Sequence, residues 1–278
     1  MGWLLFLAAI APVVFMLHFV YVRDKYEREP LGRVLLVYFV SFATVIPAGI
    51  FEAIFQVQEA GWLGLAITVW LVIALAEETV KYGALRLLAV PHRDFNEVYD
   101  GIIYAVSVSL GFATVENLAY VFISAGDSIG KGFTVAIMRG IISVPAHALW
   151  GVMMGYYVGL AKFADNKSEK RRLALRGWLT AVFWHGLFDF CAFGVTLATG
   201  FLMQFLMIAG FIAIVVVNWR IALRLIRAAQ ERSSFKRPYL LVNPIGALAM
   251  HLKYCHRCGA PAQRKQKDCQ HCGYHFPQ

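Results

Sequence analysis

Charge is what this chain has least of. Only 15% of its 278 residues are charged and 59% are hydrophobic, with a mean hydropathy of +0.61. A soluble domain carries about 25% charged residues. The shortfall excludes an ordinary soluble fold and points to a polytopic membrane protein. No basic region with a cleavage site marks a secretory signal, so the first apolar run is expected to stay as a helix. No internal repeat or low-complexity segment is visible. Cysteine is nearly absent too. Of five cysteines, Cys191 stands alone in an apolar segment and four fall in the last 24 residues.

A spanning helix needs about 20 mainly apolar residues. Seven segments qualify, at about 2–21, 34–55, 62–85, 101–123, 133–161, 177–197 and 201–219. The net charge of +9 is not a nucleic-acid signature, because the basic residues sit in short blocks between the apolar runs. Segments 22–33, 86–100, 162–176 and 220–237 together carry 18 Lys and Arg, against 1 in the alternate connections. The positive-inside rule then places the N-terminus outside and the C-terminus in the cytoplasm of a multi-pass protein of the cell membrane. An odd number of spans agrees with that. Arg220, Arg224 and Arg227 share one helix face, as expected for an extension of the seventh span resting on anionic headgroups.

The expected organisation is a helical bundle over 1–225, a basic linker over 226–250 and a small module over 251–278. In the last, Cys255, Cys258, Cys269 and Cys272 form C-x2-C-x10-C-x2-C. Four thiolates at this spacing suit a structural zinc in a ribbon-like turn, with His256, His271 and His275 as competing ligands. A segment this short has almost no core, so the metal would supply its folding energy. Four protein ligands leave no open position for catalysis. A cytoplasmic partner recruited by this ribbon is an alternative role.

The few polar residues inside the spans are the functional candidates. A mid-span charge costs at least about 2.5–3.5 kcal/mol. The third span reads "LAEETVKYGALRLL". Lys81 lies three and four residues from Glu78 and Glu77, within reach of both. One lysine balances one glutamate. The second repels the first and makes one of them a better proton acceptor, as a general base requires. The fourth span carries Glu116 and Asn117, with Gly111 allowing a close helix approach. The fifth carries His147 on a stripe with Gly151, Gly155 and Gly159, Pro145 to open a kink just before it, and Arg139 two turns nearer the outer surface. The sixth carries His185 and Asp189 at i, i+4, where the carboxylate can orient the imidazole. Glu52 and His18, near span ends, read as structural. Glu77 and His147 both lie ~22 Å from the outer ends of their spans, while Glu116 lies a turn or two nearer. Desolvation favours these clusters facing one another.

"EETVK" (77–81), "GFATVEN" (111–117), the His147 segment and "HGLFD" (185–189), in that order on consecutive helices, resemble the PrsW family of intramembrane proteases. That family is related to the CAAX-processing and bacteriocin-immunity proteases. The resemblance covers roughly residues 1–225. It implies cleavage of membrane-associated proteins, with a membrane-bound anti-sigma factor as the family's best-known substrate. It also implies that Glu77 and Glu78 are the catalytic pair, Glu116 a further essential carboxylate, and His147 and His185 the histidines. On this reading Glu77, helped by His147, activates a water. Glu78 and Lys81 tune it, and His185, held by Asp189, stabilises the oxyanion with help from Asn117. A metal held by His147, His185 and Glu116 is the other version. A proton-coupled transporter and a non-catalytic scaffold recruiting through the ribbon are the rivals.

Overall fold

The computed structural model describes residues 1–57, 61–236, 252–255, 261–263, 266–270, 272, 274 and 275. Its seven long apolar helices match the seven expected spans, and most run past the expected edges. The first is α1 (Gly2–Tyr21). The second is α2 (Leu31–Val40) and α3 (Val45–Ile54), joined by a 3-10 turn over Ser41–Thr44. The third is α4 (Gly61–Ile67) and α5 (Leu75–Leu88), joined by a π-helical stretch over Thr68–Ala74. The fourth is α6 (Val98–Asp127). The fifth is α7 (Ile129–Ile141) and α8 (Ser143–Phe163). The sixth and seventh are α9 (Lys167–Leu197) and α10 (Phe201–Glu231). The expected boundary at 225 falls inside α10, which runs on unbroken, so Arg220, Arg224 and Arg227 are helical as expected.

Three spans are irregular, for local reasons. Pro145 lacks an N–H and its ring clashes with the carbonyl four residues back. The helix therefore breaks at Ile142, one turn before His147. Pro47 stands in the same relation to the 3-10 turn ahead of α3. The π-helical stretch ends three residues before Glu77. Such stretches are rare and collect at functional sites.

The core is centred on α6 and α8. They meet backbone to backbone along the expected glycine stripe. A Cβ on Gly155 would strike the carbonyl of Gly101, and one on Gly159 would lie 2.5 Å from the Val98 carbonyl oxygen. Gly111 likewise lets α6 reach the Tyr38 carbonyl on α2. The four basic segments gather at one end of the bundle. Arg33 donates to the Leu88 carbonyl, Lys162 to the His92 carbonyl at 3.1 Å, Gln230 to the Arg23 carbonyl and Ser233 to Glu97.

In the C-terminal module, β1 (Leu252–Tyr254) pairs antiparallel with β2 (Pro261–Gln263). Residues 237–250 of the expected linker, and Cys258, His256 and His271 of the module, lie outside the described residues.

The glycine seam makes a sharp prediction. Gly155→Ala forces apart two backbones and is expected to destabilise the bundle by about 1–3 kcal/mol or more. A Cβ on Gly83 meets nothing within 4 Å, so Gly83→Ala is expected to be neutral or slightly stabilising. Thermal unfolding in detergent checks both; equal midpoints for the two variants would refute the seam.

Candidate active site

The polar clusters of the third to sixth spans meet around one ammonium. Lys81 is fully buried, and its Nζ donates to Glu77 Oε2 and Glu78 Oε1, each at 2.8 Å. Glu77 and Glu78 stand in the first turn of α5, which brings both carboxylates over Lys81. Nζ also lies 3.1 Å from Nδ1 of His147 on α8 and 4.2 Å from the ring centre of Phe112 on α6. An ammonium only donates, so Nδ1 of His147 accepts and its Nε2 carries the proton. That Nε2 lies 3.0 Å from Glu116 Oε2, so the expected offset in depth is closed.

Glu116 Oε2 is also 3.0 Å from Arg139 Nη2, close enough to pair but off the line of a hydrogen bond. Asn117 supports this arm from behind. It accepts from Arg139 Nε at 3.1 Å and donates to the Ala9 carbonyl at 2.8 Å. Its amide is thus committed to α1 and to Arg139, and the expected part in binding an oxyanion does not fit. On α9, His185 Nδ1 is 3.0 Å from Glu78 Oε1 and its Nε2 3.3 Å from Asp189 Oδ2. Trp150, one turn along α8 from His147, stacks on the His185 ring at 4.1 Å and 15°.

These side chains wall a cavity of about 300 Å³. Glu77, Glu116, Arg139, His147, His185 and Asp189 line it. Glu78, Lys81 and Asn117 do not; they sit behind the wall. Glu52, read as structural from its place near a span end, lines the cavity as well, as do Tyr120 and Trp150. The gap continues past Gly49, Glu52 and Ile73 into a second cavity reaching Gln56 and Val57 at the end of α3. Among the described residues, two buried donors on side chains that line the first cavity make no hydrogen bond: Trp150 Nε1, and Arg139 Nη2, which is held to Glu116 only as an ion pair. Neither Trp150 nor Glu52 carries a signal in the sequence: an aromatic side chain in a span is ordinary, and only the packing of α3 against α5 brings Glu52 to the cavity.

Whether this site suits a metal depends on its donors. Glu77, Glu78 and His147 present ligand atoms within 4.8 Å of one another, a set a divalent ion accepts. Lys81 Nζ stands among those same atoms, so the chain fills the cation position itself. The other version, with His147, His185 and Glu116 as ligands, meets a second obstacle: both ring nitrogens of His185 are turned to carboxylates. As arranged, the residues do not fit a catalytic metal. In the tail, the sulfurs of Cys255, Cys269 and Cys272 lie within 4.8 Å of one another, and Cys255 and Cys272 are 3.4 Å apart. Three thiolates converging this way fit zinc. His275 is instead 2.6 Å from Asp268.

Comparison with known proteins follows the same outline. A family profile described as "PrsW family intramembrane metalloprotease" matches residues 29–218. Protease PrsW of Bacillus subtilis (strain 168) is 36% identical over 183 residues, which is 66% of this chain and 80% of that protein. Protease PrsW of Geobacillus kaustophilus (strain HTA426) is 37% identical over 182 residues, 66% of this chain and 76% of that protein. Protease PrsW of Oceanobacillus iheyensis is 32% identical over 226 residues, 81% of this chain and 96% of that protein. No solved structure matches.

The central ammonium is directly testable. Breaking a buried ion pair from one side costs about 3–5 kcal/mol. Lys81→Met is expected to lose that much, measured by thermal or denaturant unfolding in detergent, with Lys81→Arg losing less. Wild-type stability in Lys81→Met would show that the cluster does not hold the bundle.

Proposed function

Because this chain belongs to the PrsW family of intramembrane proteases, and so is a membrane-embedded peptidase, we propose that it cleaves membrane-anchored proteins with a glutamate-activated water. The observation that carries this reading is the division of the carboxylate pair. Glu77 lines the cavity, while Glu78 is sealed behind it and bound to Lys81 and His185. Glu77 is the base. It takes a proton from water as the water oxygen bonds to the scissile carbonyl carbon. It returns that proton to the amide nitrogen as the C–N bond breaks. Lys81 holds Glu77 in place and balances the pair.

Trp150 Nε1, which has no acceptor, and the guanidinium of Arg139, ion-paired with Glu116, stabilise the oxyanion. This moves the oxyanion role away from His185, whose nitrogens orient Glu78 and meet Asp189. His147 and Glu116 fix the position of Arg139 and complete the polar wall. The substrate segment enters along the gap past Glu52. A carboxylate site beside an apolar channel suits an extended stretch of a single-span protein, and a membrane-bound regulator such as an anti-sigma factor is one such substrate.

The gathering of the basic segments at one end supports an orientation with that end, and the C-terminal module, in the cytoplasm. There Cys255, Cys269 and Cys272, with Cys258 as the fourth ligand, hold a zinc that folds the ribbon. The ribbon is a docking point for a cytoplasmic partner.

Glu77→Gln is expected to lower cleavage of a single-span reporter by at least about 100-fold, and Trp150→Phe by about 10–100-fold, with both proteins folding normally. Wild-type cleavage by Glu77→Gln would remove the base. A second prediction concerns metal. Purified Cys269→Ser/Cys272→Ser is expected to lose its zinc and keep its cleavage rate. Stoichiometric metal in that active variant would favour a metalloprotease.

A further inference from the structure

At the end of the bundle where the basic segments gather, five carboxylates crowd together, away from the cavity described above. Asp24, Glu27 and Glu29 come from the α1–α2 connection, Glu97 precedes α6, and Asp100 lies in its first turn. Asp24, Glu97 and Asp100 present oxygens within 4.8 Å of one another, and so do Glu27, Glu29 and Asp100, so the two groups share Asp100. Asp24 and Glu29 are 1% exposed, Glu97 4% and Asp100 0%.

Part of this crowding is satisfied internally. Asp100 Oδ2 accepts from the backbone N–H groups of Asn96 and Glu97 at 2.6 and 2.7 Å. Tyr104 donates to Glu29 and Ser233 to Glu97. Other oxygens of the cluster are not matched by a donor. Among the described residues, Asp24 Oδ2, Glu27 Oε2, Glu29 Oε1 and Asp100 Oδ1 are buried with no N–H or O–H donor on them, and Glu29 and Asp100 lie close enough to share a proton. An orphaned buried carboxylate oxygen is costly, and four together call for a shared proton or a counter-charge.

The nearby cations do not supply it. Arg23 donates to the Phe19 carbonyl, Arg28 to the Asp24 carbonyl, and Lys162 to the His92 carbonyl while lying over the Phe95 ring. Among the described residues, no Lys or Arg nitrogen lies within 4.0 Å of any of the five carboxylates. A cavity of about 580 Å³ bordered by Asn96, Glu97 and Arg232 reaches the cluster at Glu97.

We propose that this cluster is a binding site for a hard divalent cation, Mg²⁺ or Ca²⁺, held by oxygens of Asp24, Glu29, Glu97 and Asp100 with Glu27 at its edge. An all-oxygen donor set with several carboxylates is what these ions take, and soft metals do not prefer it. The ion would tie the α1–α2 connection to the start of α6. Ser233 on Glu97 and Gln230 on the Arg23 carbonyl extend the tie to the end of α10. The site is therefore a clamp on the bundle, independent of the catalytic residues.

Terbium luminescence on the full chain in detergent tests it, since Tyr104 donates to a proposed ligand and can sensitise a bound lanthanide. Wild type is expected to give a saturable signal. Titration with Ca²⁺ and with Mg²⁺ separately should displace the terbium and show which ion the site prefers. The tail thiolates do not interfere, because they are soft ligands. Glu29→Gln preserves the shape around Tyr104 and is expected to weaken binding at least about tenfold, as is Asp24→Asn. The preferred ion should also raise the unfolding temperature of wild type and not of Glu29→Gln. No saturable signal from wild type, or equal titrations for wild type and Glu29→Gln, would overturn the site.

Discussion

The ammonium of Lys81 is the point on which the bundle turns. It is a full charge with no exposure to water, and a buried charge persists only when paired. Its partners come from different places: Glu77 and Glu78 from its own helix, His147 from α8, and the face of Phe112 from α6. Glu78 passes the connection on to His185 of α9. Four spans are thus joined through one nitrogen and the groups it satisfies. The same nitrogen stands among the side chains a metal would use, so the feature that stabilises the core also carries the proposed chemistry of the site.

That network needs helices close enough to touch, and the glycines supply this. Gly155 and Gly159 put the α8 backbone against α6, which leaves Phe112 and Glu116 level with His147. The irregular turns do the complementary work of making room. The break before α8, the π-helical stretch before Glu77 and the 3-10 turn before α3 all fall beside the cavity. Close packing on one side and interrupted helices on the other leave a pocket with polar walls inside an apolar bundle. Interrupted helices also surround the substrate sites of membrane transporters. Here they flank a carboxylate pair in a chain of a protease family, so irregular backbone at this depth marks a cavity rather than a transport cycle.

Much of the site was legible in the sequence because membranes make polar residues conspicuous. Glu77, Glu78, Lys81, Glu116, His147 and His185 stood out against apolar runs, and all six meet in the structure. Asn117 stood out equally and proved to serve α1 and Arg139 from behind the wall. Trp150 did not stand out, because an aromatic residue in a span is ordinary. Only its stacking on His185 and its unpartnered N–H single it out. Asp24, Glu29 and Asp100 were hidden for the opposite reason: acidic residues in a connecting segment read as solvated, and only folding shows that these are buried.

What the sequence by itself determined is therefore the set of spans, the local pairing of Lys81 with two glutamates, the glycine stripe and the cysteine spacing. Each depends on residues a few positions apart, where helical geometry dictates who can meet. The tertiary structure alone decided which of two adjacent glutamates faces the cavity, that the Trp150 N–H is left without an acceptor, and that five carboxylates near the span ends converge. Those outcomes depend on how separate helices are rotated and spaced against one another. No spacing along a single helix carries that information.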